Sequence, residues 1–146
     1  MKVTFPSLRN VLQLNSIVKL LRATLILRPA IGSYDVYNLK LPSLVHLAQT
    51  NGSNVIGSSV TDSTSSTVLY TQPVIDYIYN TGTAYTFDVT TPINNFLTTA
   101  GSSDAGFFFL QDVPGSTNQI NRVIMNDSKN TTLNSQLILS VLTVKD

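Results

Sequence analysis

Few side chains in this sequence could do acid–base or nucleophilic chemistry. His46 is the single histidine, so any Ser-His-Asp arrangement would need it as the base, with one of the eight aspartates behind it and a serine as nucleophile. No Gly-x-Ser-x-Gly elbow accompanies it, and it alternates along a short strand-like stretch, where a solvated or hydrogen-bonded face residue is the ordinary case. Glutamate is absent, which leaves a paired-carboxylate hydrolase only aspartates to use. Asp76, Asp88, Asp104 and Asp112 lie near aromatic strands, and no spacing among them favours a pair. Asp88 precedes a helix start, where a carboxylate satisfies free N–H groups and favours the helix dipole.

Metal and phosphate chemistry find as little. Without cysteine there is no thiolate site or disulfide framework, and no EF-hand run, His-Glu-x-x-His pair or phosphate-cradling glycine loop occurs. An irregular structural calcium site built on carbonyls with Asp104 or Asp112 is the one metal arrangement the loops could offer, and no other cofactor is expected. The sequence thus reads as non-enzymatic, with no catalytic residue assigned.

Recognition chemistry is better supplied. Tyrosine rings give flat faces for sugars, with Asn, Gln, Asp or Arg at the edges to read hydroxyls. Tyr34 and Tyr37 fall in a loop, where an aromatic has less reason to be core; Tyr77 and Tyr79 share one face of an expected strand, where packing competes with binding. These four are the candidate ligand-binding residues, although the chain has no tryptophan, the largest stacking surface.

The elements that must position them read as strands. From Ile17 to Arg28, Leu21, Ala23, Leu25 and Leu27 alternate with Arg22, Thr24, Ile26 and Arg28, and Pro29 ends the run. Further strands are expected at Ser43–Gln49, within Val68–Tyr79 (one edge strand, or two meeting at Pro73), at Tyr85–Thr90, Gly106–Gln111, Ile120–Asn126 and Gln136–Lys145. The Ser/Thr tract through Ser66 carries too little apolar content to be core. Phe107, Phe108 and Phe109 in succession point to a central strand buried on both faces. Thr91 as N-cap, Pro92 at the first helical position, and Ile93, Phe96 and Leu97 at i, i+3 and i+4 predict one short helix. Together these give a single all-β domain over residues 1–146, an antiparallel, jelly-roll-like sandwich with one short helix.

Composition limits the partners. Charged residues are only 12% of the chain and net charge is +1, with Lys and Arg scattered, so nucleic acid and anionic membranes are not expected partners. Ser, Thr and Asn solvate the surface instead, a palette suited to secreted or cell-surface β-domains. No apolar run reaches the length of a membrane span, and the first residues lack a signal-peptide layout, so a signal for export would lie outside this chain.

The stretch Tyr85-Thr86-Phe87-Asp88-Val89-Thr90-Thr91-Pro92-Ile93, then Gly106-Phe107-Phe108-Phe109-Leu110 and the closing Leu137-Ile138-Leu139, resembles DNRLRE-type jelly-roll modules. It is also similar to a related, uncharacterised lipoprotein domain family of the Bacteroidota outer surface, which Ile17–Pro29 and Leu41-Pro42-Ser43-Leu44 resemble as well. The resemblance covers about two thirds of the chain and specifies fold more than activity. It implies a location outside the cell or on its outer surface, and extra strands ahead of Val3–Leu8, so that a missing strand would come from a longer chain or from a partner. The expected function is a non-catalytic module binding a glycan or another envelope component. The alternative is an assembly subunit of a surface lipoprotein or filament, self-associating through an open sheet edge.

Overall fold

The computed structural model describes residues 1–13, 17–35, 37–51, 53–62, 64–99, 106–111 and 122–144. Its strands are β1 (Lys2–Thr4), β2 (Ile17–Leu27), β3 (Val45–Thr50), β4 (Ile56–Ser59), β5 (Tyr70–Thr71), β6 (Tyr85–Asp88), β7 (Gly106–Gln111) and β8 (Gln136–Val144). Helix α1 (Thr90–Thr98) lies between β6 and β7, and a 3-10 turn spans Leu8–Gln13. One sheet runs β1-β7-β3-β4, with β5 also on β3; the other runs β6-β2-β8, and every pairing is antiparallel. The fold is an all-β sandwich with one short α-helix among the described residues.

Alternation builds the core. Ala23, Leu25 and Leu27 of β2 and Tyr85 and Phe87 of β6 face Val45 and Leu47 of β3 and Phe107 and Phe109 of β7, all buried. The rings meet at steep angles, Tyr85 with Phe109 at 5.3 Å and Phe87 with Phe109 at 6.4 Å between centroids, the arrangement that aromatic quadrupoles favour. Gly106 is required at the start of β7, because a Cβ there would overlap the Val3 carbonyl oxygen of β1.

Several sequence expectations change here. The alternation of β2 breaks at Leu21: the pairing with β8 shifts register between Leu20 and Arg22, so Leu21 stands exposed and Leu20 packs against the core in its place. The Ser/Thr tract contributes β4, and Val60 just after it is buried, because a strand joined to β3 by backbone bonds needs only one apolar residue to turn inward. The segment around Pro73 resolves into the two-residue β5 and an isolated bridge of Val74 with Ala84, proline lacking the N–H for a continuous ladder. Within Ile120–Asn126 only Met125 is bridged, to Pro29, and residues 120–121 lie outside those described. Phe107 and Phe109 are buried but Phe108, on the opposite face of β7, is half-buried, so that face is only partly covered.

The helix starts two residues early. Val89 occupies the cap position instead of Thr91, and Pro92 becomes the third helical residue, still within the turn whose N–H groups have no helical acceptor. The cause is β2: Val89 donates to the Ala23 carbonyl, and Thr90 Oγ1 accepts the Ala23 N–H at 2.9 Å, drawing the chain into the helix earlier. Asp88 accepts the Thr90 N–H at 3.0 Å. Pro92, Ile93 and Phe96 are buried, as their spacing requires.

Candidate binding site

Two segments cross between the sheets at one end of the sandwich. Residues 28–44 lead from β2 to β3, and residues 72–84 lead from β5 to β6. The strand ends that border them are paired, Leu27 with Tyr85 and Val45 with Thr71, so the crossovers lie side by side. A buried hydrogen bond ties them, from the Tyr85 hydroxyl to the Pro42 carbonyl at 2.7 Å. The Arg28 guanidinium adds a bond to the Thr81 carbonyl. Burial also raises the Tyr85 hydroxyl well above the ordinary tyrosine pKa, so it remains a donor.

The second crossover is organised by a carboxylate. Val74 and Ala84 exchange backbone hydrogen bonds at its base, and Asp76 accepts the N–H groups of Ile78 and Tyr79 through one oxygen and of Thr81 and Gly82 through the other. The N–H of Asp76 is taken by Thr83 Oγ1, and Asn80 supplies the left-handed backbone that the turn needs. Tyr77 and Tyr79 therefore sit in a turn and not on one face of a strand. They are 60% and 76% exposed, with Ile78 between them at 80%.

Asp35 does the same work in the first crossover, accepting the N–H groups of Tyr37, Asn38 and Leu39 while its own N–H bonds the Leu39 carbonyl. Tyr37 projects, 84% exposed. Tyr34 is half-buried against the core, and its hydroxyl is enclosed with no hydrogen-bond partner.

Of the four tyrosines singled out in the sequence, Tyr34 and Tyr77 meet in one open pocket of about 430 Å³. Asp35, Lys40, Ser43 and Gln72 line it with them, above an apolar base of Leu41, Pro73 and Ile75. Tyr37 and Tyr79 are exposed on the same two crossovers without lining that pocket. Lys40 and Gln72 escaped sequence reasoning, since nothing local marks them; only the adjacency of the crossovers brings them in.

The aspartates share one role. Asp35, Asp62, Asp76, Asp88 and Asp127 each accept the backbone N–H of the residue two positions on. All but Asp88 also accept the N–H three positions on. In three of them the bonds favour the ionised form and hold the carboxyl below the ordinary aspartate pKa: Asp35 chiefly through the Leu39 N–H, Asp62 through Ser65 and Asp76 through Tyr79. Asp104 and Asp112 lie outside the described residues, and with them the calcium arrangement they would build.

A second cavity, polar and about 430 Å³, brings Asp62 and Asp88 together near Arg22 at the start of α1, a pairing that sequence spacing did not suggest. Both carboxylates are already engaged with backbone N–H groups there. His46 lies on the outer face of its sheet, edge-on to Tyr70 at 5.4 Å, with Nδ1 enclosed and without a hydrogen bond. Among the described residues, no three His, Cys, Asp or Glu side chains group as metal ligands, and no helix is long and apolar enough to cross a membrane.

Compared with models of known protein families, with curated proteins and with solved structures, the chain matches none.

Proposed function

We propose that this domain is a non-catalytic surface module that binds a glycan, or another hydroxyl-rich envelope component, at the Tyr34–Tyr77 pocket. The observation that carries the reading is the convergence of the two crossovers, which sets two aromatic rings beside a carboxylate, an ammonium, an amide and a hydroxyl. Sugars are held by that combination, ring faces against C–H surfaces and polar groups at the hydroxyls. A non-catalytic role is supported by the five aspartates already committed to backbone N–H groups and by the placement of His46 against Tyr70. The low charge and the Ser/Thr/Asn surface support a location outside the cell.

Calorimetric and NMR titration against a panel of bacterial and host glycans tests this reading. One class should bind, with shifts at Gln72 and Tyr77, and Tyr77→Ala should weaken it roughly tenfold, the loss of one stacking ring. A panel with no binder, or a binder indifferent to Tyr77→Ala and Gln72→Ala, overturns it.

A further inference from the structure

Charge in the crossover pocket is not balanced as its composition suggests. Asp35 and Lys40 both line it. One oxygen of the Asp35 carboxylate takes the N–H groups of Tyr37, Asn38 and Leu39, so the loop itself meets that charge. The Lys40 ammonium is exposed and engages no hydrogen bond or ion pair among the described residues. Tyr34 adds a second donor without an acceptor, its hydroxyl enclosed and unbonded. Buried hydroxyls are as a rule bonded, since an unpaired one has given up water for nothing. The same end of the sandwich does pair a tyrosine where the fold needs it, Tyr85 with the Pro42 carbonyl.

We propose, building on the glycan reading above, that this pocket selects a sugar bearing a negative charge, a carboxylate or a sulfate ester, with Lys40 as its counter-ion and the Tyr34 hydroxyl as a second donor. Lys40 can only donate, and the Tyr34 hydroxyl has its proton to give, so the group that completes both is an acceptor, and a charged acceptor completes them best. Asp35 does not cancel the preference, because its own charge is met by three N–H groups of its loop, whereas nothing among the described residues meets that of Lys40. The exposed Tyr77 ring is left for the C–H face of the same sugar, and Ser43 and Gln72 for its hydroxyls.

The unpaired hydroxyl gives Tyr34 opposite effects on stability and on binding. In the free domain it contributes no hydrogen bond, and its enclosure is a cost to the fold. Turning it toward a ligand therefore breaks no bond of the fold and relieves that cost. A residue placed only for packing would show the reverse pattern, with stability lost and affinity unmoved when it is changed.

Calorimetry with matched pairs of sugars separates the two sources of charge: sialyllactose against lactose, a uronic acid oligosaccharide against its carboxyl-reduced form, and a sulfated galactose oligosaccharide against its desulfated form. The charged member of at least one pair should bind roughly tenfold tighter or more, and less so as salt is raised. Lys40→Gln should erase the difference within that pair, and Lys40→Arg, which keeps the charge, should retain it. Tyr34→Phe should weaken the charged sugar roughly tenfold while leaving the denaturant midpoint unchanged or raised, because the free domain loses only an unpaired hydroxyl. Pairs whose members all bind equally, or a preference that survives Lys40→Gln, overturn the charge selection and leave the glycan reading standing. A Tyr34→Phe variant that binds the charged sugar as the parent does, or that unfolds at lower denaturant, overturns the part given to Tyr34. If no sugar of any pair or of the wider panel binds, the selection falls together with the glycan reading.

Discussion

Residues 74–84 keep their shape through backbone N–H groups gathered onto the Asp76 carboxylate, whereas β8 keeps its shape through the ladder it shares with β2, its one strand partner among the described residues. A loop that satisfies its own N–H groups can hold Tyr77 and Tyr79 out in water in a fixed arrangement. A strand draws half of its backbone bonds from each neighbour, so its shape is set by the strands beside it. The first region closes on its own side chain, and the second depends on a distant strand. The difference lies in where the backbone finds its partners, not in how apolar each region is.

The sharpest way to break the comparison is to remove the strut beneath the loops. Tyr85→Ala takes away a buried ring packed on Phe109 together with the bond to Pro42, and should cost about 3–5 kcal/mol in denaturant unfolding. Tyr85→Phe keeps the ring and strands the Pro42 carbonyl, so the same measurement should give about 1–3 kcal/mol. Next comes the carboxylate: Asp76→Ala should broaden or shift the amide resonances of Ile78, Tyr79 and Gly82 and weaken glycan binding, with the β8 amides unmoved.

Acid should give the smallest and most selective effect. The carboxyls of Asp35 and Asp76 are depressed in the folded protein, so each contributes stability that is present above the ordinary aspartate pKa and is lost as pH falls through the depressed value. An NMR pH titration should therefore show Leu39 and Tyr79 amides moving together below the ordinary aspartate range. β8, with no titratable side chain, should stay still.

How much of this was legible in the sequence depends on how local each cause is. The second half of β2, the bounds of β7 and the buried face of α1 follow from side-chain periodicity, which requires only neighbours along the chain. Leu21 misled because a register shift against β8 moves the inward position by one residue, and that shift is a property of two strands. Tyr77 and Tyr79 misled because Asp76, a few residues before the Asn80-Thr81-Gly82 turn, folds them into a loop despite their strand-like composition. Tyr34 and Tyr77 were both singled out, but their meeting depends on which strands flank the crossovers, as does the pairing of β8 with β2. Neither can be read without strand order.

The turn bonds made by the aspartates have a consequence for exchange of parts. Asp62 closes its loop through Thr64 and Ser65, and Asp127 closes another through Lys129 and Asn130, each within four consecutive residues. Such loops carry their own closure with them. Each aspartate thus sets the opening turn of its loop from within the loop, so substitutions elsewhere in the sandwich should leave that turn intact while the aspartate is kept.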